Sequence, residues 1–118
     1  MQDPLDLLAQ ARARAEADLT AASGGAPLCR IDGRDGAATV KHAEGRMAAL
    51  AEAQRAARTH GVVDTVSLLA LVQSLLEAWQ DAADASLDPG PSWVAYRQGG
   101  ITALGDVSDE LSALLGRR

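Results

Sequence analysis

Residues 64–88 read as one helix whose two sides differ completely, and no other stretch limits the fold so tightly. With successive residues about 100° apart, Leu68, Leu69, Leu71, Val72, Leu75, Leu76, Ala78, Trp79, Ala82 and Ala83 fill one continuous half of the circumference. Gln73, Ser74, Glu77, Gln80, Asp81, Asp84 and Asp88 fill most of the other half. A surface helix normally hides a stripe of about 100° or slightly more. A stripe near 180° needs several neighbours, so this helix is expected at the centre of a helical bundle with one acidic edge in water.

The rest of the chain supplies those neighbours. Asp3 can cap a first helix, with Pro4 at its first position and Asp6 near its positive end. Leu5, Leu8, Ala15, Leu19 and Ala22 recur on one side before Ser23, Gly24 and Gly25 stop it. A second helix is predicted from about Thr39 to His60, with Val40, Ala43, Met47, Leu50, Ala51 and Ala57 on its main apolar side. Ala49, Ala53 and Ala56 form a second stripe, small enough to admit another helix or another subunit. Asp64 can cap the third helix, with Val63 and Leu68 spaced as a hydrophobic staple. The short connection between the second and third helices predicts antiparallel neighbours. Pro89, Gly90 and Pro91 end the third helix. Ser92 then caps a short segment, Trp93 to Gln98, closed by Gly99 and Gly100. A last helix runs from about Asp106 to Gly116, presenting Val107, Leu111, Leu114 and Leu115.

The fold expected is therefore an all-α, compact bundle of about four helices, at approximately 4–22, 39–60, 65–87 and 106–115, in a single domain of 118 residues. Residues 23–38 form the longest irregular stretch. Their two Asp-Gly pairs allow a long loop or a small hairpin joining 28–31 to 37–41.

Composition narrows the function classes. Leu, Ile and Val number only 25, Phe is absent, and alanine is the commonest residue. Alanine favours helix but buries little area. Pairing two copies would bury a further helix face, so a homodimer is expected. The scarcity of Lys, Asn and Ile against abundant Ala, Gly and Arg is the usage of a high-GC genome and points to a bacterial source. The formal charge is −5, all of it in residues 61–118. No cationic cluster offers the footprint that nucleic acid requires. The apolar run from Val62 to Trp79 is broken by Asp64, Gln73 and Glu77, so no membrane span is expected. With a single cysteine, Cys29, and an N-terminus without a signal peptide's pattern, a cytoplasmic location is expected.

Four groups of residues could carry function. Glu77, Asp81, Asp84 and Asp88, spaced 4, 3 and 4, line one side of the third helix. They read as a solvated face, as a docking strip for a basic protein, or as carboxylates for a divalent cation. One helix cannot surround such a cation, and the second helix offers only Glu44 and Glu52. His42 is similar in setting to the phosphorylated histidine of histidine phosphotransfer domains. Those domains place Lys and Gly three and four residues later, where this chain has Gly45 and Arg46. Cys29, beside Arg30 and near Arg34, reads as a small packed side chain or a lowered-pKa thiol. Trp93 and Tyr96 would share a side after the Pro-Gly-Pro break and either cover the bundle's end or anchor a partner.

Together these features lead to a non-catalytic protein–protein interaction or regulatory module, without cofactor or metal, that binds itself and another protein. The expected surfaces are Glu77, Asp81, Asp84 and Asp88, the alanines 49, 53 and 56, and Trp93 with Tyr96. The alternative is a small helical enzyme or phosphocarrier using His42, or a metal held by the four carboxylates.

Overall fold

The computed structural model describes residues 2–24, 34–85 and 90–116, except for the side chains of 34–37 and 91. It contains four α-helices and, among the described residues, no strand: α1 (Pro4–Ser23), α2 (Arg34–Thr59), α3 (Thr65–Asp84) and α4 (Pro91–Gly116). All four contribute to one apolar core, built around Leu8, Leu50, Leu68, Val72, Leu104, Val107 and Leu111.

Local chemistry sets several boundaries. The Asp3 carboxylate accepts the Leu5 N–H at 2.8 Å, and Pro4 follows at the first helical position. The Asp64 carboxylate likewise accepts the Ser67 N–H at 2.8 Å. At the end of α2, Gly61 takes φ +63°. Its N–H reaches the Arg58 carbonyl at 3.3 Å, and the Val62 N–H reaches Ala57 at 2.9 Å. These two bonds make a Schellman ending, which delivers Val62 back onto the core.

Two local expectations are corrected. Residues 37–41 belong to α2, which starts at Arg34, so they form no hairpin strand. The Asp35-Gly36 pair falls in the first helical turn, where turn-forming residues are also tolerated. The stretch 25–33, which includes Cys29 and the partner segment 28–31, lies outside the described residues. Val63 makes no staple, because it is 69% exposed while Leu68 is fully buried.

The largest correction concerns α4. It is one helix of 26 residues and runs straight through Gly99 and Gly100. The glycines are where α4 meets its neighbours. A Cβ on Gly99 would overlap the His42 backbone carbonyl of α2, and one on Gly45 would overlap the Tyr96 carbonyl of α4. The two helices therefore touch backbone to backbone. Ala49 and Ala53 continue the Gly45 line on α2, and Ala103 continues the Gly99 line on α4, at four-residue spacing. Both lines are buried.

This seam makes α2 and α4 the most extensively packed pair, and α4 is also the main neighbour of α3. The leucine-rich α3 is thus not the central helix, and it meets α2 only slightly despite their short connection. Leu68, Val72 and Trp79 are buried along its midline. Leu69, Leu71, Leu75 and Leu76 on the flanks are half-buried against the core, and Ala78 is exposed. The Trp79 ring covers Gly100, where a Cβ would collide with it.

Candidate functional site

Glu77, Asp81 and Asp84 are exposed and enter no ion pair among the described residues. By helical spacing they project from the side of α3 opposite Trp79. Asp88 lies outside the described residues. No group of three or more His, Cys, Asp or Glu side chains is placed to hold a metal ion among the described residues. Ala49 and Ala53 are fully buried and Ala56 half-buried, so the first two meet helices of the same chain and offer nothing to a partner. His42 is half-buried in a shallow depression with Ala38, Thr39 and Ala95. His60 is exposed at the end of α2.

The aromatic side chains form one cluster. Tyr96 stacks on Trp79 at 5.5 Å and on Trp93 at 5.4 Å between ring centroids. The Arg97 guanidinium carbon stands 4.9 Å from the Trp79 centroid, 4.7 Å from Trp93 and 5.8 Å from Tyr96. Its Nε is buried without a hydrogen-bond acceptor among the described residues, so ring faces stabilise the cation there. Trp93 and Val94 remain 45% and 42% exposed. The cluster both covers this end of the bundle and leaves an apolar edge bare.

Two further features went unread in the sequence. Val63 and Val66, at the corner between α2 and α3, are 69% and 58% exposed. Val63 also forms the lip of an apolar groove of about 380 Å³ between α1 and α2, with Leu5, Leu8, Ala57 and Arg58 around it. Exposed valines beside a helix cap look like staple residues in a sequence, which hid them.

The second feature is a charged cleft of about 370 Å³ where α1, α2 and α4 meet. Arg14 and Arg46 lie on one side, and Asp106, Asp109 and Glu110 on the α4 side. Its floor is apolar, with Ala11, Leu50, Ala103 and Val107. Arg14 stands 3.7 Å from Glu110, and Arg46 stands 3.7 Å from Asp18. Both distances allow attraction but no hydrogen bond. Arg46 Nε is buried with no acceptor among the described residues. Its i,i+4 relation to Leu50 was the one available hint, since it places a cation on an apolar side.

No helix among the described residues is long and apolar enough to cross a membrane. No family model, curated protein or solved structure matches the chain.

Proposed function

We propose that this chain is a small, non-catalytic, cytoplasmic interaction module that self-associates through the outer face of α3. The observation that carries this reading is the bare pair Val63 and Val66 at the α2–α3 corner. Large apolar side chains exposed this far favour burial against another surface.

The order of charges from the end of α2 into α3 supports a second copy as the occupant. Exposed Arg55, Arg58 and His60 lie at the corner end, with Arg58 and Val63 on the same groove. Val66 and Ala70 come next, and Glu77, Asp81 and Asp84 follow further along the same side of α3. A two-fold axis through the apolar segment sets each copy's carboxylates against the other's cationic end. This is the self-complementarity that an isologous interface requires. The 20 residues of α3 span about 30 Å. Trp93 and Val94 stay free in such a dimer, leaving a second apolar surface for an unlike protein.

Light scattering on a sizing column tests this reading. A dimer is expected, weakened by Val66→Asp and by raised salt. The pair Asp81→Arg with Asp84→Arg and the pair Arg55→Glu with Arg58→Glu should each weaken it. Mixing the two variant proteins should restore a heterodimer. A monomer at all concentrations, or a dimer indifferent to these changes, overturns the proposal.

A further inference from the structure

We infer that the charged cleft between α1, α2 and α4 binds a small zwitterion with an aliphatic body, of the class of the free apolar amino acids. Hydrogen-bonding capacity at the cleft is left unused. A guanidinium carries five N–H donors in a planar fork that matches a carboxylate. Arg14 and Arg46 both border the cleft, and each holds its own carboxylate at 3.7 Å, outside hydrogen-bond range. The Arg14 and Arg46 side chains are 58% and 29% exposed. A carboxylate entering the cleft would take direct hydrogen bonds from guanidinium N–H groups that these long ion pairs do not engage.

A simple anion does not fit the surroundings. Asp106, Asp109 and Glu110 bring three negative charges to the same space, against two positive ones. An ammonium group beside the ligand's carboxylate answers that excess, so both charges are needed on one molecule. The floor of alanine, leucine and valine side chains offers no polar partner and suits a short aliphatic chain. The volume of about 370 Å³ lies in the range of small-molecule sites.

The test is thermal unfolding of the full chain with L-leucine, L-isoleucine, L-valine or L-methionine as probes, with isovalerate and isoamylamine as half-ligands. A ligand that binds the native state raises the midpoint, and at about 10 mM a rise of about 3 °C or more is expected for at least one amino acid. The half-ligands should give less than half that rise. The Arg46 Nε–H resonance should shift with the amino acid in an ¹⁵N-edited spectrum. Arg46→Gln should abolish the rise. Exposed Asp109→Asn tests the ammonium end without a change in the core and should at least halve it. The inference fails if no probe moves both the midpoint and that resonance. It also fails if the half-ligands act equally, or if both variants respond like the parent.

Discussion

Gly99 of α4 rests directly on the backbone carbonyl of His42 in α2, with no room between them for a methyl group. The contact is matched by Gly45 against the Tyr96 carbonyl, so each helix contributes one glycine to the crossing. Backbone atoms cannot rotate away as a flexible side chain can. The whole axis of one helix would have to move.

Gly99→Ala and Gly45→Ala should therefore each cost about 3 kcal/mol or more, at or above the top of the usual overpacking range. Gly105→Ala, on the same helix with nothing within 4 Å of its Cβ position, should instead gain about 0.5–1 kcal/mol from helix propensity. Urea unfolding of the three variants checks the contrast. Equal effects would mean that α2 and α4 are not in backbone contact.

At Gly100 the obstacle is the Trp79 ring, which is a side chain and can shift. Gly100→Ala should cost less than Gly99→Ala, about 1–3 kcal/mol. Trp79→Ala, which empties a site only 5% exposed, should cost about 3–5 kcal/mol. The order of the three midpoints in denaturant is the measurement.

Arg97 is held by aromatic faces with no carboxylate beside it among the described residues. A double-mutant cycle with Arg97→Met and Trp93→Leu should give a coupling of about 0.5–2 kcal/mol. That coupling should change little with added salt, since no carboxylate pair is there to be screened. A coupling that vanishes in high salt would point to an acidic partner instead.

The helix start at Asp64 and the neighbouring valine make a pair of opposite expectations. Asp64→Ala removes an acceptor for the Ser67 N–H and should cost about 1 kcal/mol. Val63→Thr, at a position 69% exposed, should leave monomer stability within about 0.5 kcal/mol. A staple between Val63 and Leu68 would make the second change costly as well.

What could be read in advance was what depends on near neighbours in the chain. The caps at Asp3 and Asp64, the end of α2 close to His60 and the buried midline of α3 are local or periodic features, and they formed as expected. The break expected at Gly99 and Gly100 was wrong for the opposite reason. A glycine pair weakens a helix locally, but here its missing side chains admit α2 and the Trp79 ring, and tertiary packing holds the helix together. The repeated small residues at 45, 49 and 53 and at 99 and 103 carried the signal, although it names a contact only once both helices are in hand. The width of the apolar half of α3 also misled, since half-buried flanks and a buried midline look alike in a sequence. Of the candidate surfaces, the exposed carboxylates at 77, 81 and 84 were legible from spacing. Arg46 and Arg97 were not, because the direction in which an arginine stem lies depends on helices that no local pattern specifies.

Both tryptophans of the chain belong to the cluster around Tyr96 and Arg97. Indole emission from this protein is consequently a readout of the place where α3 meets α4. Loosening of α1 at its N-terminal turn would pass almost unseen by that optical signal, while circular dichroism would register it. A gap between the two unfolding curves would then map where the molecule opens first.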